Sequence, residues 1–295
     1  MTLSGWPLWW RLLLISALWG SGFPLVRYLA GEMPPFALAC ARGSMAATGM
    51  LVWVIASGAL RGYRPAMLGH ALVLGTTNGW LPNVMTATAL GSIPSAQAAL
   101  IQSASPLFIG VLAALLLPRE RPGLAAVAGL LTGFAGIALI IGPAALAPGA
   151  DLAGGLLMLA TAASYAIGTV YTRIMMPGVA AQLALGQQTV SALGAGTLMW
   201  TVEGGAAGLA QPWSIWLVLL ATGVLASAVP VTMFTGLIQR ARATDAAMVG
   251  YLQPVFAALL AALALAEWPE PRILLGGSVV LLGVWLTTRP GSPTG

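Results

Sequence analysis

Pro94-Ser-Ala-Gln-Ala-Ala-Leu-Ile-Gln-Ser-Ala-Ser-Pro-Leu-Phe108 reads as an apolar helix of small residues, with Gln102, Ser103 and Ser105 just ahead of Pro106. The same design returns at Thr244 to Phe256: Ala246-Ala247 answer Ala98-Ala99, and Pro254-Val255-Phe256 answer Pro106-Leu107-Phe108, at an offset of 148 residues. That is about half of a 295-residue chain, and a repeat at this scale governs the whole fold. Gly75 and Pro82 have counterparts in Gly223 and Pro230 at the same offset. With small insertions Trp19…Arg27 echoes Tyr165…Arg173, Arg42 falls opposite Gln188, and Gly129…Gly136 echoes Gly276…Gly283. Glu120 and Glu267 follow their prolines by 14 and 13 residues. The ordered set of matches identifies a duplication.

Composition fixes the environment. The chain is 59% hydrophobic and 6% charged, with a mean hydropathy of +0.91. Soluble domains carry about 25% charged residues, so this chain lacks the polar surface to cover itself in water. It reads as an integral membrane protein. The net charge of +5 is twelve arginines against seven acidic residues, and the arginines are scattered without any run of charge, which argues against a nucleic-acid surface. One cysteine, Cys40, excludes an intramolecular disulfide and a thiolate metal cluster; one histidine, His70, excludes His-rich metal sites and an ordinary Ser-His triad. No cofactor and no metal are expected. The apolar N-terminal stretch is long enough to cross a bilayer and is copied in the second half, so it reads as a retained first helix rather than a signal peptide.

Segments of about 20 apolar residues, the length that crosses the hydrocarbon core, fall at 8–30, 36–58, 66–90, 94–117, 122–142, 152–175, 179–202, 213–238, 244–266 and 271–288. Ten spans make two units of five, 1–145 and 146–295. Five is odd, so the second unit enters the membrane from the opposite side, and an inverted pair of this kind encloses a site near the midplane. Nine arginines (11, 61, 64, 119, 121, 173, 240, 242, 289) share the face of the N-terminus against two (27, 272) on the other, which places both termini in the cytoplasm. Trp6, Trp9, Trp10, Trp53, Trp200, Trp213, Trp216, Trp268 and Trp285 lie at span ends, where tryptophan favours the interface. Trp19 and Trp80 lie mid-span, and a cavity wall is one explanation for them.

Mid-span prolines 24, 82, 106, 230 and 254 each remove a backbone hydrogen bond. Those matched between the repeats (Pro82, Pro106, Pro230, Pro254) are expected to act as hinges. Thr76, Gly79, Asn83 and Thr86 share one helix face, as do Thr161, Tyr165, Thr169 and Thr172. Single Thr and Ser residues in such stripes are expected to bind neighbouring helices. The larger side chains of Trp19, Asn83, Gln102, Tyr165 and Tyr251 fit poorly in a tight interface and, with Gln253, are expected to line a substrate cavity. Arg42, the one charge inside a span, either snorkels outward toward Glu32 or serves in gating or anion contact. All seven acidic residues fall at loops or span ends. Since ion-driven carriers keep a carboxylate or His within the membrane, facilitative movement of neutral or zwitterionic solutes is expected. The glycines of the fifth and tenth helices form small-residue faces for close packing, outside the cavity; they permit a homodimer beside a monomer.

Ala17-Leu18-Trp19-Gly20-Ser21-Gly22-Phe23, Ala41-Arg42, and Ala98-Ala99…Ser105-Pro106-Leu107-Phe108 with Glu120 resemble the EamA domain of the drug/metabolite transporter superfamily, and a more diverged copy covers about 152–288. The resemblance implies ten helices in two EamA repeats, with helices 1, 3, 4, 6, 8 and 9 around a central cavity. It also implies a bacterial inner-membrane exporter of small metabolites, amino acids included, resembling the aromatic and neutral amino acid exporter branch. Gln188 in place of the second-helix arginine, and Tyr165 in place of the tryptophan, depart from the pattern and are the first suspects for a changed substrate. A proton-coupled exporter of the same fold and a non-selective small-solute channel are the alternatives. An intramembrane enzyme would need a nucleophile with a base, or a metal site, and the chain supplies neither in ordinary form.

Overall fold

The computed structural model describes residues 6–58, 67–116, 124–141, 152–175, 181–238 and 243–288. Among them all regular structure is helical: α1 Trp6–Ala30, α2 Pro35–Ala56, α3 Met67–Gly75, α4 Leu81–Leu90, α5 Ser95–Gln102, α6 Ser105–Leu116, α7 Leu124–Ile141, α8 Leu152–Met175, α9 Ala181–Val202, α10 Trp213–Leu220, α11 Val229–Ile238, α12 Ala243–Leu265 and α13 Pro271–Thr288. Wide π-helical turns, Thr76–Trp80 and Ala221–Ala228, join α3 to α4 and α10 to α11.

Five described segments are long and apolar enough to cross a membrane: Trp6–Ala30, Pro35–Ala56, Ser95–Leu112, Leu152–Thr172 and Trp213–Phe234. Shorter apolar helices at Val127–Ile140, Leu252–Leu265 and Pro271–Gly283 cover three more of the expected segments. The remaining two, 66–90 and 179–202, carry Asn78, Asn83, Gln187 and Gln188, which lower their hydropathy. Leu51, Val52, Leu131, Leu193, Leu217, Leu259, Leu263 and Leu275 are exposed on the outside of the bundle. An aliphatic belt of this kind is tolerable where lipid tails rather than water surround it.

The prolines act unequally. Pro24 and Pro254 sit inside the unbroken helices α1 and α12. Pro106, expected only to kink a helix over 94–117, instead divides it into α5 and α6 with a turn at Ser103 and Ala104. The missing N–H of Pro106 leaves the Gln102 carbonyl open, and the Ser105 hydroxyl donates to it at 2.9 Å.

Helix contacts come in exchange-related sets. α2 packs along α9, and α7 along α13. α1 packs along α12, and α8 along α5 and α6. α4 lies on α8 as α11 lies on α1, and the 76–80 turn lies on α9 as the 221–228 turn lies on α2. Under the 148-residue correspondence each contact maps onto another with the halves exchanged, or onto itself.

The α7–α13 contact depends on backbones meeting. A methyl group at Gly136 would lie 2.6 Å from the Val280 nitrogen and 2.8 Å from the Gly276 oxygen. The small-residue faces of these helices are therefore occupied by each other within the chain. Gly136→Ala is expected to lower stability by about 1–3 kcal/mol through overpacking. Gly69→Ala, where an added methyl meets nothing within 4 Å, should not. Thermal unfolding of the two variants in detergent checks this.

Candidate functional site

Pro82 cannot donate to the carbonyl of Asn78, four residues back, and the chain widens into the 76–80 turn with Gly79 at φ −121°, ψ −110°. Two neighbouring helices satisfy the carbonyls so released. Gln187 Nε2 of α9 donates to the Asn78 oxygen at 3.3 Å, and Ser164 Oγ of α8 donates to the Thr77 oxygen at 2.6 Å. The Asn78 side chain packs directly over Gly168 of α8, and its Oδ1 is buried without a hydrogen-bond partner. Pro230 follows the 221–228 turn in the same way, and there the Ser227 hydroxyl donates to the Thr222 oxygen at 3.0 Å.

Arg42 reaches this second turn. Its Nε donates to Ser227 Oγ at 3.1 Å, and Tyr165 of α8 lies within electrostatic range of the guanidinium. The side chain does not snorkel toward Glu32. Ser44, Thr48, Leu51, Val52 and Ile55 are exposed and, at 3.6 residues per turn, lie roughly 180–280° around α2 from Arg42. Trp53 and Ala56 are exposed on the Arg42 side only in the last turn of the helix, whereas Leu38, Ala39 and Ala46, one turn from Arg42, are buried. Arg42 therefore points into the protein, because its helix packs that face against the 221–228 turn and α9.

The other expected site residues divide into two groups. Tyr165, Gln102 and Gln253 are half-buried, and no described residue hydrogen-bonds their side chains. Trp19 is half-buried against Phe234 of α11, ring centroids 5.0 Å apart. Asn83, by contrast, is buried and its Nδ2 donates to Ser191 Oγ of α9 at 3.3 Å. The Asn83 face of α4 is thus a helix contact. Trp80, a cavity wall on the sequence reading, packs over Gly194 of α9 with Nε1 donating to Thr76 Oγ1 at 3.2 Å. Gln188 is buried. The side chain of Tyr251 lies outside the described residues, as do Glu120 and Arg173.

One end of the bundle is tied together by carboxylates. Glu203, after α9, accepts the Phe36 and Ala37 N–H groups at 2.8 and 3.0 Å and so caps the N-terminus of α2. Glu267, after α12, pairs with Arg27 at 3.0 Å and accepts the Ser95 N–H at 3.0 Å at the start of α5. Arg27 also donates to the Leu90 oxygen at the end of α4. Gln211 closes the same end with a bond to the Glu32 oxygen at 3.0 Å. Sequence reasoning passed over Gln187, Ser164, Ser191, Ser227 and Phe234. For Gln187 the available signal was the carbonyl four residues before Pro82, which demands a donor from somewhere; the other four make contacts that no spacing within one helix marks.

Among the described residues no group of three or more His, Cys, Asp or Glu side chains is placed to hold a metal ion. A model of the EamA-like transporter family matches residues 8–142 and again 152–289. A protein of Archaeoglobus fulgidus described as an uncharacterized transporter is 25% identical over 288 residues, covering 94% of this chain and 96% of its own length. A protein crystal structure with 21% identity covers 94% of this chain and 95% of its own at a TM-score of 0.66; that likeness speaks to the fold alone.

Glu203→Ala removes two charge-assisted bonds to backbone at the α2 N-terminus and should destabilise the protein by about 2–4 kcal/mol. Glu203→Gln, which keeps one acceptor, should cost roughly half of that. Thermal unfolding of the purified variants measures both.

Proposed function

This chain belongs to the EamA-like transporter family of the drug/metabolite transporter superfamily and is a multi-pass membrane protein, and from that premise we propose that it exports amino acids or similar small metabolites by facilitative alternating access. The observation that carries this reading is the exchange-related packing. A contact set that maps onto itself when the halves are swapped lets one half adopt the other's conformation, which opens the opposite side.

In this reading the chain has ten spans in two inverted units, 1–145 and 146–295. Both termini are in the cytoplasm, and the membrane is the bacterial inner membrane. The spans formed by α1, α3–α4, α5–α6, α8, α10–α11 and α12 surround the cavity. Trp19, Gln102, Tyr165, Tyr251 and Gln253 face the solute, and Asn83 acts through its bond to Ser191 by holding α4 on α9. Pro82 and Pro230, each behind a π-helical turn, are hinges; Pro106 and Pro254 mark the equivalent points of α5–α6 and α12. The Arg27–Glu267 and Glu203 contacts lie on the outer face and hold it shut, so the conformation described is closed to the outside.

Every Asp and Glu falls at a loop or a span end by sequence, Asp245 at the start of 244–266 included, which supports gradient-driven movement. A second reading, proton-coupled export, draws on one contact: His70 Nδ1 lies 2.8 Å from the Tyr171 hydroxyl between α3 and α8.

Uptake of a labelled amino-acid panel into liposomes holding the purified protein, with and without a pH gradient, decides between them. We expect saturable uptake, indifferent to the gradient and stimulated by unlabelled solute on the far side. Uptake that needs the gradient and loses the need in His70→Ala supports the second reading. Flux that does not saturate overturns both in favour of a channel.

A further inference from the structure

The charge on Arg42 has no counter-ion among the described carboxylates. Glu203 has both oxygens on the α2 backbone. Glu267 is paired with Arg27 and Ser95, Glu270 with Arg272, and Glu32 is exposed in the turn after α1. Glu120, Asp151 and Asp245 lie at loops or span ends by sequence. A cation at membrane depth is costly unless something compensates it. Lipid does not, because the turns of α2 on either side of Arg42 have their exposed face the other way.

Protein contacts fix only one edge of the guanidinium. The hydroxyl of Ser227 is oriented by its own donation to the Thr222 oxygen, so its lone pair is presented to Arg42 Nε. That leaves the two terminal nitrogens as a fork, and no described residue accepts from them. Such a fork matches a carboxylate or a phosphate in bidentate fashion. A dianionic phosphate would need a second cation, and Arg27, at the end of the bundle, is already paired with Glu267. A singly charged carboxylate balances Arg42 one for one.

Resting on the carrier reading above, we propose that Arg42 is the carboxylate-binding residue of the transport site, held in position by Ser227, with Tyr165 at its side. The solute then enters as the counter-ion that the protein itself omits. Its remaining atoms lie toward the half-buried side chains already assigned to the cavity. The site consequently requires a carboxylate and places no comparable demand on an ammonium group.

The test uses L-phenylalanine, L-leucine and L-threonine, each beside its carboxamide, as ligands in thermal-shift titrations of the purified full-length protein and as competitors of uptake in liposomes. For at least one pair the acid should bind the wild type at least about tenfold more tightly than the amide. Arg42→Gln should bring acid and amide to within about twofold, and Arg42→Lys should retain part of the preference. Ser227→Ala should weaken the acid severalfold while leaving the amide unchanged. If Arg42→Gln fails to fold, the Lys and Ser227 variants carry the decision. Equal binding of acids and amides by the wild type, or an undiminished preference in Arg42→Gln, overturns the proposal. Saturable uptake of a solute without any preference for the carboxylate removes this site and leaves the carrier standing; absence of both binding and uptake removes both.

Discussion

Pro82 has no N–H to offer the Asn78 carbonyl, and in a hydrocarbon surrounding that carbonyl has no water to turn to. The rest of the interior follows from how this is met. Gln187 and Ser164 supply the missing donors from α9 and α8, which commits both helices to the inner side of the kink. Gly79 and Gly168 let them approach, since a methyl group at Gly79 would lie 2.8 Å from Ser191 Cβ. A helix that would otherwise be an ordinary span thus becomes a bent element with fixed polar partners. At Pro230 the 221–228 turn brings Ser227, bonded to the Thr222 oxygen, to a place where it can hold Arg42.

Duplication multiplies the consequence. Each bent helix belongs to one half and packs on helices of the other, so the two halves are joined through their kinks rather than along smooth faces. At one end of the bundle, carboxylates from the second half cap helix starts in the first: Glu203 on α2 and Glu267 on α5. Each is a charge-assisted bond to backbone of about 1.5–3 kcal/mol, small enough to be broken by binding energy and large enough to bias which end is closed. The proposed alternating-access cycle calls for joints of that strength. Stronger ones would lock a single state, and weaker ones would leave both ends open.

The architecture was legible where it depends on hydropathy and punctuation. The apolar segments, the halfway duplication and the small-residue faces of the glycine-bearing helices follow from residues that act alone or at fixed helical spacing; that those two faces meet each other within the chain did not. The split at Pro106 was not legible, because Pro24 and Pro254 occupy similar apolar surroundings inside unbroken helices. What differs is the turn at Ser103 and Ala104, with Ser105 capping the Gln102 carbonyl. Asn83 and Trp80 looked like cavity residues because they are large and polar at mid-span. Their partners, Ser191 and Gly194, lie more than a hundred residues away on α9, and no periodicity within one helix reveals a contact between helices. Arg42 was readable as an anomaly. Its direction depended on which face of α2 meets the 221–228 turn.

The central claim is that the end tied by Arg27 and Glu267 must part for solute to cross. The most direct measurement replaces both by cysteine in a Cys40→Ala background, bridges them with a short bifunctional thiol reagent cleavable by reductant, and follows uptake in liposomes. The account predicts that bridging stops uptake and that cleavage of the bridge restores it. Undiminished uptake by the fully bridged protein would contradict it.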